Sequence, residues 1–500
     1  MKYSVLYDPV ISVTTLDGKT RVLGIYDIFK QAHEIQDIQG DSPLERFAVL
    51  RLLTAFAMDM LHPQSWMDRK ALLEEGCFDT SLLDKYIANC EKDGSRFDLF
   101  DREHPFMQAA FDPDYDDEKS CKAVANLSIS LPSGNNHIFL DHRTESSSDM
   151  NVIQAFQSML AIYIFCTAQA QGYPSGINNT SPVYAWVKRN NLFETIVLNM
   201  VAEKECSPIP YGWHEVPWRK PCCIIPKQEA ADVSMLEALT WQPRRITLIP
   251  DTDGHIRKVY FQQGRNFRGN GLWHDPNVAY KLSQKGEWNS VKPQSGRALW
   301  RDVGTLLMDQ SGARSRPPLV IAQAPRILDS ASVWVDIAEV GLVTNNASYI
   351  EWTEDRLSLP SAFLEQEDLA ILLRDDVDFV EQIHRELRKQ LDILFSSDKK
   401  HSDILSEQAS MYFLSMMHDY IFSDVINDLL SSDIDSIETI RTENRARIIN
   451  QAKATLRCTF KEVIEQAGSS SDQMLKQSDA YRQIMICVNK IQKEKEEPHE

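Results

Sequence analysis

The 500-residue chain has no long hydrophobic run and no closely paired metal-binding cysteines. Its longest apolar stretch, Met159–Cys166, is far shorter than the roughly 20 residues that a transmembrane helix needs. Its nine cysteines are scattered, and none is spaced as C-x-x-C with another. Because the N-terminus also lacks an apolar signal core, this pattern predicts a soluble cytoplasmic protein with reduced thiols and no membrane segment.

The short motifs of common enzyme classes are also missing. The sequence contains no glycine pattern for a phosphate or dinucleotide loop and no G-x-S-x-G nucleophile elbow. One alternative stays open, since His137, Asp141 and His142 could bind a metal in a hydrolase or nuclease. The i,i+5 spacing of these histidines does not suit one helix face, and no downstream ligand pair completes the site. These observations disfavour a metal site and the common enzyme classes.

Charge is unevenly distributed along the chain. The 53 basic and 72 acidic residues give a net charge of −19, which argues against a general nucleic-acid binder. Residues 241–320, however, carry 13 Lys and Arg against six acidic residues, whereas 361–500 carry 17 against 27. The basic segment is either a local nucleic-acid surface or a solvated loop region.

The hydrophobic pattern changes near residue 360. Before it, short strands mix with helices, and Ser42, Pro43 and Glu45 form a capping box that predicts a helix start. After it, four amphipathic segments with short polar breaks predict a four-helix bundle. The sequence therefore predicts an α+β protein with a large mixed domain of short sheets and helices over 1–360 and a bundle over 361–500.

Two smaller features have functional interpretations. Alternating apolar residues at 333–337 and the segment Tyr349–Trp352 predict an antiparallel hairpin with an exposed tip within Gly341–Ser348. In the third bundle segment, Arg441 and Arg445 share a helix face at i,i+4. They could contact phosphates, or they could pair with acidic neighbours.

Several motifs together resemble the CasA family, the large subunits of the type I-E CRISPR surveillance complex Cascade. The resemblance runs nearly end to end. The motifs that carry it, in chain order, are Asp8-Pro9 with Ile11, Gly40–Arg46 (GDSPLER), Phe97–Phe100, His104–Gln108, Pro132–Asn136 (PSGNN), Leu140–His142, Thr240–Arg244 (TWQPR) and Asn270–Trp273 (NGLW).

The resemblance implies a non-enzymatic DNA reader. Such a subunit recognises the short PAM of double-stranded DNA mainly through the minor groove and helps open the duplex so that an R-loop starts. Its implied partners are the target DNA, the guide RNA 5′ region with the subunit gripping it, the Cascade backbone and small subunits, and the helicase–nuclease. A helical scaffold without DNA contact is a further alternative, although it leaves the basic segment unexplained.

Site residues follow from the resemblance by position. A loop near the guide 5′ end corresponds to 131–142, with Asn135 and Asn136 as polar contacts. The family's glycine loop corresponds to 172–176, with Gly172, Ser175 and Gly176 near the groove. This loop has fewer glycines than is usual in the family and carries Pro174. Some members bind zinc through paired Cys-x-x-Cys motifs. This chain has no such motif, so we expect no zinc and no other cofactor.

Two further roles are implied in the second half of the chain. The family's wedge hairpin corresponds to 344–348, where Asn345, Asn346 and Ala347 would push between base pairs. The family's PAM-reading lysine precedes the Gly-Leu-Trp motif, and no lysine stands there in this chain. The candidates to replace it are Gln262, Arg265 and Arg268.

Overall fold

The structure is a computed structural model. It describes residues 2–129, 149–168, 173–220, 224–269, 271–307, 315–328, 333–345, 348–395, 399–431, 437–465 and 470–494. The chain divides into two compact units, Met1–Leu299 with Ser311–Ser361, and Trp300–Gln310 with Ala362–Glu500.

The first unit contains eight helices within the described residues. They are α1 (Ile25–Gln31), α2 (Pro43–Leu61), α3 (Trp66–Glu75), α4 (Thr80–Lys92), α5 (Val152–Phe165), α6 (Leu192–Asn199), α7 (Met235–Leu239) and α8 (Leu319–Leu328). Its strands are β1 (Ile11–Thr15), β2 (Thr20–Leu23), β3 (Ile35–Ile38), β4 (Cys121–Ala123), β5 (Tyr184–Lys188), β6 (Glu229–Ala230), β7 (Arg244–Pro250), β8 (Ile256–Gln263), β9 (Asn266–Phe267), β10 (Tyr280–Leu282), β11 (Trp288–Ser290), β12 (Ser315–Arg316), β13 (Trp334–Asn345) and β14 (Ser348–Pro360).

Helix α2 forms the centre of the first unit. The predicted capping box is confirmed: Ser42 Oγ accepts from the Glu45 N–H at 3.3 Å, and the Glu45 carboxylate accepts from the Ser42 N–H at 3.2 Å. Pro43 occupies the first turn, where its missing N–H costs no hydrogen bond. Because α2 packs against α5, α6 and α7, nearly its whole surface is buried.

The strands form small, separate sheets. Their orders are β2-β1-β3, β4-β8-β7, β11-β10-β12 and β14-β13-β5, and β6 pairs with β9 in parallel. The predicted hairpin with its tip within Gly341–Ser348 is confirmed, since β13 and β14 pair antiparallel from Trp334↔Pro360 to Asn345↔Ser348. Phe47 of α2 packs on Tyr184 and Trp186 of β5, which fastens this last sheet to the helical core.

The second unit is helical. It comprises α9 (Ala362–Glu365), α10 (Glu367–Leu394), α11 (Lys399–Tyr420), α12 (Ile426–Ser431), α13 (Ile437–Thr459) and α14 (Ser471–Glu494), with π-helical turns at Ile421–Val425 and Phe460–Ile464. Helix α10 packs against α11, α13 and α14, and α13 also contacts α11 and α14. The α+β class with a C-terminal four-helix bundle is confirmed.

Residues 300–310 belong to the second unit, although the predicted boundary near 360 places them in the first domain. Side-chain packing explains the difference. Trp300 meets the rings of His418 and Phe422 edge-on, and Arg301 forms a largely buried ion pair with Glu381 of α10. In the described part of the chain, no helix is long and apolar enough to cross a membrane.

Candidate nucleic-acid interface

An open cleft of about 410 Å³ lies in the first unit, where three distant chain segments meet. One wall is 177–180, directly after the predicted glycine loop. A second wall comes from 267–274, which includes the Gly271-Leu-Trp273 motif, and a third from 288–292 at β11. The structure therefore brings residues 177–180, which follow the predicted glycine loop, and the basic segment of the sequence to one site.

The cleft has an aromatic floor and a polar rim. Trp273 and Tyr280 are buried beneath it, and Trp288 is half-buried under the guanidinium of Arg316, which lies 4.0 Å from the ring centroid. Side chains that can donate hydrogen bonds stand exposed around the opening: Asn179, Thr180, Arg268, Asn289 and Lys292.

A buried polar network fixes the walls of the cleft. The Asp275 carboxylate accepts from both Nη atoms of Arg51, at 3.1 and 2.7 Å, and from Asn178 Nδ2 at 2.8 Å. Asn178 in turn accepts from the Trp273 indole N–H at 2.8 Å. Since Arg51 lies on α2, this network links the wall at 177–180 and the wall at 267–274 to the central helix α2.

The cleft carries no charge from its histidine near neutral pH. Burial lowers the pKa of His274, and the nearby Arg316 lowers it further. The imidazole is therefore neutral near pH 7, and the positive charge at the cleft comes from arginine and lysine.

The predicted glycine loop is only partly within the described residues, because Gly172 lies outside them. Ser175 is half-buried and Gly176 is buried. A Cβ at Gly176 would lie 2.6 Å from the carbonyl oxygen of Ile164, so helix α5 itself requires glycine here. The adjoining turn closes with the Asn179 N–H donating to the Gly176 carbonyl at 3.0 Å, and Asn179 has a φ of +60°, which asparagine tolerates.

The three candidates for the missing PAM-reading lysine have different surroundings. Gln262 donates to Asp116 Oδ1 at 3.0 Å and to the Tyr115 carbonyl, away from the cleft. Arg265 pairs with Glu237 at 2.6 Å and stacks 4.1 Å from the Trp241 ring centroid, with 15% of its side chain exposed. Arg268 is 67% exposed and lines the cleft, and its side chain pairs with Glu229 at 3.2 Å. Of the three, only Arg268 lines the cleft.

Sequence reasoning missed a lysine at this site. Lys292 follows β11, is exposed, and lines the same cleft as Arg268. It lies 19 residues beyond Trp273, whereas the PAM-reading lysine of the family precedes the Gly-Leu-Trp motif. Its position within the basic segment 241–320 was the available signal.

The residues on either side of the hairpin tip lie within the described part of the chain. Asn345 is exposed at the end of β13, and Ser348 is exposed where β14 begins. Asn346 and Ala347 lie outside the described residues, as do Asn135, Asn136 and the alternative metal ligands His137, Asp141 and His142. Elsewhere, in the ranges that the structure describes, no group of three or more His, Cys, Asp and Glu side chains could hold a metal ion.

In the bundle, Arg441 has acidic neighbours. It pairs with Asp375 of α10 at 2.9 Å and with Glu438, and 19% of its side chain is exposed. Arg445 is half-buried one turn later. Farther along, Arg457 of α13 and Lys461 of the π-helical turn that follows it are exposed.

Solved structures of Cse1 proteins share this fold. The chain aligns with Cse1 from Acidimicrobium ferrooxidans at a TM-score of 0.78 and 20% identity, covering 98% of both chains. Thermobifida fusca Cse1 gives a TM-score of 0.77 at 20% identity, again with 98% of both chains. A chain from a structure described as a CRISPR RNA-guided surveillance complex aligns at 0.72 and 17% identity, covering 97% of this chain and 99% of that one.

Sequence comparison identifies the family. The family model described as CRISPR-associated protein Cse1 matches residues 5–485. The chain therefore belongs to the Cse1 family. CasA/Cse1 of Thermus thermophilus is 28% identical over 320 residues, which cover 62% of this chain. The match spans 61% of the length of that relative.

Proposed function

We propose that this chain is the large, non-catalytic subunit of a type I-E CRISPR RNA-guided surveillance complex. It recognises the PAM of double-stranded DNA mainly through the minor groove, wedges the duplex open to start an R-loop, and helps to recruit the helicase–nuclease. Membership of the Cse1 family supports this role, as does the similarity to a chain from a CRISPR RNA-guided surveillance complex. Its further partners are the guide RNA 5′ region with the subunit gripping it and the backbone and small subunits.

The observation that carries the proposal is the convergence of residues 177–180, which directly follow the predicted glycine loop, with Arg268 and Lys292 at one cleft. The minor groove presents acceptors on every base pair, so its reader needs hydrogen-bond donors, which the amides, guanidinium and ammonium of the rim supply. Sequence is read by guide pairing in such complexes, so a small cationic site on a chain with a net charge of −19 is sufficient.

We expect the double substitution Arg268→Glu and Lys292→Glu to lower PAM-duplex affinity of the assembled complex by about 100-fold. Each reversal replaces attraction for DNA with repulsion, and one lost contact of this kind costs about 1–3 kcal/mol. Mobility-shift titrations at one fixed salt concentration measure the change.

Lys285→Glu is the matched control for this experiment. Lys285 is an exposed base in the turn between β10 and β11 and is not a lining residue of the cleft. Equal losses in the control and the double variant would indicate a non-specific charge effect. Unchanged affinity in the double variant would remove the cleft as the DNA-facing site.

The wedge assignment leads to a separate expectation. Asn345→Ala with Asn346→Ala leaves PAM-duplex affinity within about threefold and slows strand opening by about tenfold, because the amides act after docking, when base pairs separate. Permanganate footprinting of unpaired thymines over time measures opening. Ser348→Ala, on the other flank of the same tip, is the control, and normal melting by the double variant would contradict the wedge role.

A further inference from the structure

Arg244, the first residue of β7, is a fully buried arginine that holds backbone carbonyls instead of a carboxylate. Its Nη2 donates to the Thr167 carbonyl at 2.8 Å, and its Nη1 donates to the carbonyl of Pro174 and, at 3.0 Å, to that of Pro243. No acidic side chain among those described forms a salt bridge with it. By contrast, four other buried arginines of the first unit pair with acidic side chains: Arg51, Arg69, Arg219 and Arg245.

These contacts hold the described part of the predicted glycine loop, 173–176. Thr167 follows helix α5 and Pro174 lies within the loop, so one guanidinium connects two points that are seven residues apart. The Tyr173 ring centroid lies 5.2 Å from the same guanidinium, which adds a cation–π contact. Burying a cation is costly, and only the rigid fork of an arginine presents several donors in fixed directions. The buried charge therefore fixes the segment that leads into the cleft wall at 177–180.

The same guanidinium lies near the root of the hairpin tip. Tyr349 is the second residue of β14, its hydroxyl is buried, and it pairs with Thr344 across the hairpin. Burial raises the pKa of Tyr349 to about 12, and Cys166 raises it as well, whereas Arg244 and Thr167 oppose the shift. Such effects act only over short distances, so the Tyr349 hydroxyl lies beside Thr167 and within electrostatic reach of Arg244.

We propose that Arg244 is a positioning residue that ties the glycine loop to the wedge hairpin and thereby couples PAM recognition to strand opening. It has no exposed surface and touches no DNA. It keeps 173–176 and Tyr349 at a fixed separation, so a duplex seated in the cleft meets the hairpin tip in the orientation that separates base pairs. Packed and hydrogen-bonded contacts carry coupling of this kind. This inference rests on the proposed function and adds how its two sites act together.

Arg244→Lys in the assembled complex tests the coupling. On a fully paired PAM duplex, strand opening should slow about tenfold, the effect of losing about one hydrogen bond to a charged group. On a PAM duplex whose base pairs next to the PAM are mismatched, and are therefore already open, R-loop formation should stay within about twofold of the unaltered complex. Fluorescence of 2-aminopurine placed beyond the mismatched pairs measures both rates.

Arg245→Lys is the matched control. Arg245 is the next residue of β7 and is also buried, but it pairs with Asp116 and does not contact the glycine loop. Its substitution should leave strand opening within about twofold. Equal slowing by the two variants would show a merely structural role for Arg244 and overturn the proposal. Unchanged opening in Arg244→Lys would overturn it too, as would a defect that persists on the mismatched duplex.

Tyr349→Phe tests the hairpin side of the coupling without altering the buried charge. It keeps the ring, removes the hydroxyl beside Thr167, and should slow opening of the paired duplex about fivefold with unchanged PAM-duplex affinity. Opening at the unaltered rate would contradict the link to the hairpin. The double variant Arg268→Glu with Lys292→Glu should instead weaken binding of both duplexes. A failed PAM assignment therefore appears as unchanged binding by that double variant, whereas a failed coupling leaves its binding defect in place.

Discussion

Arg51→Met is expected to lower the free energy of unfolding of the first unit by about 3–5 kcal/mol. Asp275 has no exposed side-chain surface. Within the part of the chain that the structure describes, Arg51 is the only residue that forms a salt bridge with it. Removing the guanidinium leaves a buried carboxylate without its counter-ion, which costs far more than the pair contributes as a whole. Urea titration followed by tryptophan fluorescence measures the loss.

Two further variants test whether the loss comes from the buried charge of Asp275. Arg46→Met removes one ion-pair partner of Glu354 at the surface, where the side chains are 27% and 30% exposed, and should cost at most about 1 kcal/mol. Adding Asp275→Asn to Arg51→Met removes the uncompensated charge and should recover part of the stability. A loss in Arg51→Met no larger than in Arg46→Met would show that Asp275 does not depend on this arginine.

The second large effect concerns Asp376 in the bundle. It lies on α10, is 1% exposed, and neither carboxylate oxygen has a hydrogen-bond partner among the described residues. Burial, together with the neighbouring Asp375, raises the pKa of Asp376 to about 7, although the nearby Arg445 and Asn444 side chains oppose the shift. The preceding residue, Asp375, is 31% exposed and pairs with Arg441.

The sign of the pH dependence follows from these states. Below about pH 4 both folded and unfolded chains hold the proton on Asp376, and there is no penalty. Between about pH 4 and 7 the unfolded chain ionises while the folded chain keeps the proton, so stability falls as pH rises. The cost is complete above pH 7 and amounts to about 2–4 kcal/mol.

Asp376→Asn should therefore stabilise the bundle by about 2–4 kcal/mol at pH 8 and by less than about 1 kcal/mol at pH 4.5. Urea titrations at both pH values, with hydrogen exchange of the α10 amides, measure the gain. Asp375→Asn is the control and should change stability by at most about 1 kcal/mol at either pH. Equal gains for Asp376→Asn at both pH values would show that its pKa is not raised.

Local sequence patterns were sufficient to predict several elements of this fold. The capping box at Ser42 and Glu45 predicted the start of α2, because its hydrogen bonds join residues three apart. The hairpin of β13 and β14 and the helices after residue 360 likewise followed from periodicity, which reports which side of an element is buried. The family motifs occur in the expected order along the chain, so the resemblance to CasA was also visible in the sequence.

The candidate site required the tertiary structure. Arg265 and Arg268 look alike in sequence, yet one stacks on Trp241 and the other reaches the cleft. Lys292 joins Arg268 only because β11 folds beside the Gly-Leu-Trp segment. No local sequence pattern predicts these contacts, because they form between residues that are far apart in the chain.

By itself, the amino-acid sequence determined the α+β class, the helical C-terminal region, the basic segment within an acidic chain and the family. The tertiary structure alone decided which cations line the cleft, that 300–310 belong with the bundle, and that Arg51 holds Asp275 across 224 residues. The physical reason is that burial and charge pairing arise from the packing of distant segments. The pattern of neighbouring residues reports only their local conformation.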